Sequence, residues 1–325
     1  MRRMGAALAL AERGRGRTAP NPNVGALIVR DGRVVGRGWT QPGGRPHAEA
    51  VALAEAGEKS RGATLYVTLE PCAHVSPRGP ACSDLLVAAG VGRVVIALDD
   101  PDSRTNGTGI ARLRAAGIDV TTNVRSAEAR RSMAGFLTRQ AHGRPQVTLK
   151  LALSLDGAVA MADGQSKWIT GPEARAHAHL ERARHEAILV GRGTVEADGP
   201  DLDVRLAGLE ARSPRRIMLS RDGSRKGKDG WEQLANPDDV ATLTGVDHVL
   251  VEGGAATAAA FLEADLVDRL LLYRAPILIG GRTLPDIGLA DLADAHGRWT
   301  LQDARQLGSD RVEVYERVRN SASSG

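Results

Sequence analysis

The residues best equipped for chemistry in this chain are His47, Glu49, Cys72 and Cys82. One imidazole and two thiolates are a usual donor set for a zinc ion that keeps a fourth position open for water. Glu49, one residue removed from His47 at the start of a predicted helix, supplies a carboxylate beside the metal that does not bind it. Pro71-Cys72 reads as the end of a strand, where the N-terminus of a following helix favours the thiolate. His-x-Glu followed by Pro-Cys and a second cysteine is the pattern of zinc-dependent nucleobase deaminases. One departure stands out: the second cysteine there follows three positions after the first, whereas nine residues separate Cys72 from Cys82. The predicted chemistry is hydrolytic removal of an exocyclic amine. Zinc activates water, water attacks the ring carbon, and Glu49 takes the proton and hands it to the departing ammonia. Each piece has a bland alternative, since paired cysteines are often core residues and a lone His-x-Glu arises by chance. The conjunction outweighs it, because both cysteines of the chain fall in one loop downstream of a His-Ala-Glu that opens a helix. His47, Cys72 and Cys82 are therefore read as ligands of a single zinc ion and Glu49 as the catalytic carboxylate. His74 is read as a substrate contact or an alternative ligand.

These side chains need a scaffold. A length of 325 residues favours two domains. In the first half the pattern predicts a helix over 4–13, strands over 24–30 and 33–38 joined by Asp31-Gly32, and a helix over 47–56. A strand over 63–69, a helix over 82–89, a strand over 91–97 and helices over 109–116 and 126–141 follow. His142-Gly143-Arg144-Pro145 is a short polar break. Beyond it come a strand over 146–153, a helix over 172–185, and strands over 187–190, 216–219 and 248–251. Glu252-Gly253-Gly254 then opens an Ala-rich helix, with late strands over 270–275 and 312–319. Strands alternating with helices predict α/β domains with largely parallel sheets. The boundaries are 1–143 and 144–319, with a mobile loop at 220–230 and a disordered tail at 320–325.

Composition removes several other functions. Aromatic residues are only 3%, so the cores must be built from Ala, Val, Leu and Ile. The net charge is only +4, and the one dense basic cluster, 221–228, carries no aromatic residue to stack on bases, which argues against nucleic acid as a partner. The N-terminal MRRMGAALALAERGRG reads as an amphipathic helix rather than a secretory signal, and no stretch approaches the length of a membrane span. Two cysteines cannot frame a disulfide network, so a reducing cytoplasm is expected.

Longer blocks carry a family resemblance. APNPNVG at 19–25, PHAEA at 46–50 and TLEPCAH at 68–74 with the long gap to Cys82 resemble the bifunctional riboflavin biosynthesis deaminase/reductase family. So do LKLALSLDGAVAMADGQSKWITG at 149–171, ILVGRGTVEADGPDLDVR at 188–205 and VLVEGGAATAAAFLEADLVD at 249–268. The resemblance spans nearly the whole chain. It implies a cytidine-deaminase-like three-layer α/β/α domain followed by a dihydrofolate-reductase-like α/β domain. It further implies zinc-dependent deamination of 2,5-diamino-6-ribosylamino-4(3H)-pyrimidinone 5′-phosphate, then NADPH-dependent reduction of the ribosyl chain to ribityl. A homodimer is implied as well. By motif position, Asn23 would meet the deaminase substrate. Ser166, Arg182, Leu202, Arg205 and Glu252 would meet the reductase substrate. Ala152, Trp168, Thr194, Asp198, Ser220 and the stretch Gly254, Ala255, Ala256, Thr257, Ala258, Ala259 and Ala260 would meet NADPH.

Taken singly, these reductase residues say less. No Gly-x-Gly-x-x-Gly fingerprint is present, so a Rossmann domain is not supported. Gly253-Gly254 at a helix start would let a phosphate approach backbone N–H groups, although two glycines after a strand are commonly just a turn. Arg182 and Arg205 suit a phosphate, although each alone reads as a solvated surface arginine, Asp198 reads alone as a turn residue, and Trp168 reads alone as core. His177 and His179, two apart on a helix, read as surface residues. Only 31 residues separate Ser220 from Glu252, a stretch shorter than is usual in the family it resembles. Arg221 or Arg225 is the expected contact for the cofactor 2′-phosphate. The rival reading is a deaminase of another nucleoside or of a tRNA base, with a non-catalytic second domain.

Overall fold

Asp31 and Gly32 both adopt positive φ (49° and 75°), the conformation of a two-residue type I′ hairpin turn, and they fold Gly25–Arg30 (β1) against Arg33–Trp39 (β2). In this computed structural model, which describes residues 1–74, 78–222 and 229–319, the hairpin forms one edge of a five-stranded sheet. The remaining strands are Thr64–Val67 (β3), Arg93–Ile96 (β4) and Asp119–Thr121 (β5), in the order β2-β1-β3-β4-β5. β1 runs antiparallel to β2 and β3, while β3, β4 and β5 are parallel, so the sheet is mixed. Helices Arg2–Ala11 (α1) and Ala48–Ala56 (α2) lie against the hairpin so closely that glycine is required beneath them. A Cβ on Gly25 would stand 1.9 Å from the Ala7 carbonyl oxygen, and one on Gly38 would stand 1.9 Å from that of Ala48. Helices Cys82–Ala89 (α3), Thr108–Ala115 (α4), Ser126–Ser132 (α5) and Ala134–His142 (α6) complete the unit, which spans Met1–Gly143. Its core is aliphatic, centred on Ala26, Ile28, Leu65, Leu86, Ile96 and Leu113.

The helix expected over 126–141 is two helices. Met133 leaves helical geometry (φ −104°, ψ 20°) beside Ser132, whose carbonyl accepts a hydrogen bond from Asn23 Nδ2 at 3.2 Å. A long-range polar contact thus overrides local helix propensity. β5 was not expected; it is only three residues long and opens on a charged residue.

The second unit, Arg144–Gly325, is built on an eight-stranded sheet. Its elements in chain order are Gln146–Leu153 (β6), Pro172–Arg182 (α7), Ala187–Gly191 (β7), Arg192–Asp198 (α8), Arg215–Leu219 (β8) and Glu232–Leu234 (β9). His248–Val251 (β10), Ala255–Glu263 (α9), Val267–Arg274 (β11), Trp299–Leu307 (β12) and Asp310–Arg317 (β13) follow. The strand order is β12-β13-β11-β6-β10-β7-β8-β9. From β11 to β9 every neighbouring pair is parallel, while β13 joins β11, and β12 joins β13, antiparallel. This is the mixed α/β arrangement expected of a dihydrofolate-reductase-like domain. β7 (AILVG) and β10 (HVLV) are buried along their whole length, as interior parallel strands must be. α8, β9 and β12 went unpredicted. Gly191, Gly193 and Gly199 punctuate α8 like a loop, and β12 (WTLQDARQL) is an exposed edge strand with little apolar patterning. The tail 320–325 and residues 223–228 of the expected loop lie outside the described residues. No helix among the described residues is long and apolar enough to cross a membrane.

Candidate active sites

In the first unit, three elements deliver the predicted ligands to one point. His47 is the extended residue before α2, Cys72 follows β3, and Cys82 is the first residue of α3. Their ligand atoms all lie within 4.8 Å of one another, with His47 Nδ1 at 3.3 Å from Cys82 Sγ and 3.6 Å from Cys72 Sγ. The start of α3 fixes Cys72. Cys82 N donates to Cys72 Sγ at 3.3 Å, and Ser83 Oγ donates to the Cys72 carbonyl at 3.0 Å. On the far side of the imidazole, Asn21 Nδ2 donates to Gly44 O at 2.8 Å and lies 3.2 Å from His47 Nε2.

Electrostatics distinguish the groups. A hydrogen bond from Cys82 holds the Cys72 thiol down at about 4 against its burial, with His47 helping. The same hydrogen bond and its own burial push Cys82 up. Burial pulls His47 down, but the hydrogen bond to Cys72 and the charges of Glu49 and Cys72 outweigh it and leave it raised. Glu49, in the first turn of α2, is buried, and burial pushes its carboxyl up to about 7 against the pull of His47. Two sulfurs and an imidazole nitrogen converging beside a buried carboxyl fit zinc, whose preferred donors are sulfur and nitrogen.

Of the expected substrate contacts, His74 has Nδ1 3.3 Å from Thr105 Oγ1. Asn23 is buried, and its amide nitrogen contacts Ala11 O and Ser132 O at 3.4 and 3.2 Å. Glu70 escaped the sequence reading. Its buried carboxylate accepts backbone N–H groups of Asp100, Gly107 and Ile110 at 3.4, 3.1 and 3.0 Å, tying the strand before Cys72 to the loop that starts α4. Its only signal was a carboxylate wedged between an apolar strand and Pro71.

In the second unit, a cleft of about 2050 Å³ opens along the C-terminal ends of β6, β10, β7 and β8. That exceeds the usual volume of a single-ligand pocket and leaves room for two. Ala152, Ser166, Trp168, Arg182, Thr194, Asp198, Leu202, Arg205, Ser220 and Glu252 all line it, and so do Gly254, Ala255, Ala256, Thr257 and Ala260. Ala258 and Ala259 do not. They are buried on the sheet side of α9, because a continuous helical stretch cannot turn every residue to one ligand. Thr257 packs where side chains on Gly191 or Gly253 would go, with ideal Cβ positions 2.1 and 2.4 Å from its atoms. Strand end and helix start are thus pressed together, and main chain rather than side chain faces the cleft there, which suits a phosphate-bearing cofactor.

Arg182 is not the free cation that its sequence position suggested. Its Nε and Nη2 pair with Glu252 Oε1 and Oε2 at 2.7 and 2.9 Å, and Nη1 donates to Asp203 O at 3.0 Å. Burial pushes Glu252 up, but the hydrogen bonds from Arg182 and the charge of Lys150 hold it at about 2. Arg205 is exposed and pairs with Asp203 at 3.0 Å. Leu202 borders the cleft but is buried, with φ 55°, and its side chain packs into the core with Ile188, Val190 and Leu250. Trp168 is not core: it is 68% exposed, with the Arg175 guanidinium 4.8 Å from its ring centroid. Asp198 pairs with Lys167 at 2.9 Å. His177 and His179 are half-buried rather than surface residues. His177 Nδ1 meets the Tyr273 hydroxyl at 2.7 Å, and His179 Nδ1 lies 3.1 Å from Asp203 O. Lys150 was missed, although a lone cation inside the apolar run of β6 was a signal. Its Nζ lies in the cleft 3.9 Å from Glu252 Oε2.

Comparison with known proteins assigns each half of the chain to a known family. Residues 2–98 match the cytidine and deoxycytidylate deaminase zinc-binding region, and residues 145–312 match the RibD C-terminal domain. The riboflavin biosynthesis protein RibD of Escherichia coli K12 is 41% identical, the match covering 94% of this chain and 96% of that one. That of Aquifex aeolicus is 37% identical over 96% of each. Among solved structures, RibD of Acinetobacter baumannii superposes with a TM-score of 0.87 at 38% identity, covering 98% of both chains. A deaminase/reductase of Thermotoga maritima gives 0.86 at 32%, with the same coverage.

Proposed function

Since the chain belongs to the RibD family of bifunctional riboflavin biosynthesis enzymes, we infer how its two sites divide two successive reactions. The first is hydrolytic deamination of 2,5-diamino-6-ribosylamino-4(3H)-pyrimidinone 5′-phosphate. The second is NADPH-dependent reduction of the ribosyl chain, giving 5-amino-6-ribitylamino-uracil 5′-phosphate. The observation that carries the residue assignment is the convergence of His47, Cys72 and Cys82 beside the buried Glu49.

His47, Cys72 and Cys82 hold zinc, which supplies the Lewis acidity that makes water nucleophilic at neutral pH. Glu49, buried beside the three ligands, takes the proton of the attacking water and delivers it to the departing amine. Asn23 through Oδ1, and His74 through Nε2, orient the pyrimidine. In the second unit NADPH supplies a hydride, and the chain's task is to align it with the sugar carbon. Gly254 and the exposed face of α9 take the phosphates, and Trp168, Thr194, Asp198 and Ser220 frame the rest of the cofactor. Glu252, kept ionised by Arg182, faces the sugar, with Ser166, Leu202 and Arg205 around the substrate. Lys150 Nζ is the cleft cation that gives a proton to the sugar oxygen as the ring opens. Exposed Ile277, Leu278, Leu289 and Leu292 supply apolar surface for a homodimer, and thiol ligands suit a reducing cytoplasm.

The test is mass spectrometry of products from zinc-loaded protein and the diaminopyrimidinone substrate, with and without NADPH. Deaminated product without NADPH, and ribityl product only with it, is expected. Zinc-loaded folded protein that leaves this substrate unchanged overturns the assignment.

A further inference from the structure

The cleft of the second unit has a direction. Its floor is the row of strand ends β6, β10, β7, β8 and β9, four interstrand steps and roughly 19 Å. Lys150, Arg182 and Glu252, the groups assigned to the sugar, gather at the β6–β10 end. A dinucleotide whose reactive ring lies there and whose phosphates meet the start of α9 must carry its adenosine toward β8 and β9. Gly191 on β7 is the register partner of Leu219 on β8, so Arg192 and Ser220 leave the sheet side by side. Both line the cleft, as do Arg221 and Asp222. The turn after β8 is pinned from β9: Gln233 Nε2 donates to Ser220 O at 3.2 Å and to Asp222 O at 3.0 Å. Asp222 is thereby presented to Arg192, whose Nη1 stands 3.7 Å from Asp222 Oδ2 while its Nε stands 3.9 Å from Glu196 Oε1. Both contacts are longer than a good charge-assisted hydrogen bond, and the Arg192 side chain is 43% exposed. This guanidinium is held in place without its donors being saturated.

We propose that Arg192 and Asp222 form the subsite that reads the 2′ position of the adenosine ribose, Arg192 binding the 2′-phosphate of NADPH and Asp222 opposing it. The proposal rests on the reading that the cleft holds NADPH along this row of strand ends. A guanidinium matches a phosphate dianion bidentately, so Arg192 exchanges a loose carboxylate partner for a tighter one. Asp222 stays close by and repels the same phosphate. Discrimination between NADPH and NADH is then the difference between an attractive and a repulsive element on two neighbouring strand ends. Arg221, on the same turn, is the competing candidate.

Equilibrium titration of NADPH and NADH into the full chain, followed by nicotinamide fluorescence, separates these possibilities without turnover. Arg192→Ala should weaken NADPH about 10- to 100-fold, the worth of one or two charge-assisted hydrogen bonds, and leave NADH within about 3-fold. Asp222→Asn should tighten NADPH about 2- to 5-fold, the range of an exposed charge pair, and not tighten NADH. Arg192→Lys should retain part of the preference. Equal loss of both cofactors in Arg192→Ala overturns the proposal, because the arginine would then act on a part they share. So does unchanged binding, or a selective NADPH loss in Arg221→Ala in place of Arg192→Ala. Failure of the unaltered chain to bind either cofactor would instead strike the reading of the cleft itself.

Discussion

Replacing Arg182 with alanine strips the buried Glu252 carboxylate of its two hydrogen bonds, leaving Lys150 Nζ at 3.9 Å and the more distant His179 beside it. The cost can be worked from the structure. Burial alone would raise Glu252, yet the Arg182 hydrogen bonds and the nearby positive charges hold it at about 2 rather than the ordinary 4.5. That difference corresponds to roughly 3 kcal/mol of folding stability. It agrees with the range of about 3–5 kcal/mol for breaking a buried ion pair from one side. Because the folded-state value lies below the unfolded one, the stabilisation is fully present above about pH 4.5 and is lost as the pH falls toward 2. Urea unfolding of the full chain can be followed by tryptophan fluorescence, since Trp168, Trp231 and Trp299 lie in the second unit and only Trp39 in the first. At pH 7, Arg182→Ala should lose about 3 kcal/mol. Arg182→Ala combined with Glu252→Gln should lose less than the two single losses together. The gap between unaltered chain and Arg182→Ala should narrow below pH 4.5. A loss at pH 7 under about 1 kcal/mol, the scale of an exposed pair, or strict additivity in the double variant, would refute the argument.

Glu49→Gln should lower deamination at least about 100-fold while the zinc-to-protein ratio measured by atomic absorption stays unchanged, and reduction should survive. Chelation of zinc should abolish deamination and leave NADPH-dependent reduction of the deaminated intermediate intact, read as ribityl product by mass spectrometry. Gly38→Ala puts a Cβ 1.9 Å from the Ala48 carbonyl and pushes α2 off the sheet. About 1–3 kcal/mol of stability should be lost in urea unfolding, together with zinc affinity, since His47 and Glu49 ride on that helix. Glu70→Gln replaces an all-acceptor carboxylate that receives three backbone N–H groups. It should raise the KM for deamination several-fold at unchanged zinc content, because the loop over 99–107 loses its anchor.

The deaminase centre was legible because its ligands are rare residue types that announce themselves. Both cysteines of the chain lie in one loop, and the helix starts at His47 and Cys82 follow from local signals. The nine-residue gap between the cysteines did no harm, since α3 brings Cys82 N back onto Cys72 Sγ. The reductase cleft was legible by motif and not by chemistry. Arg182 looked like a phosphate ligand until its partner, 70 residues away in sequence, was seen to be Glu252. Trp168 looked like core for want of any sign that its loop stays open. β12 and β9 were missed because edge strands need no apolar alternation, and the break at Met133 depends on Asn23, more than a hundred residues upstream. For Arg182 and for Met133, a partner distant in sequence decided a local question.

The alanine run of α9 has a consequence for how this enzyme tolerates change. Ala258 and Ala259 fill the interior, whereas Ala256 and Ala260 border the cleft with little beyond a methyl group. Enlarging the inner pair disturbs the fold and would show in any screen for aggregation or melting. Enlarging the outer pair takes volume from the cleft rather than from the core, and the fold should survive it. Stability-based selection is therefore blind to these two positions of the helix. Damage there would surface as a cell short of flavin with normal amounts of the protein.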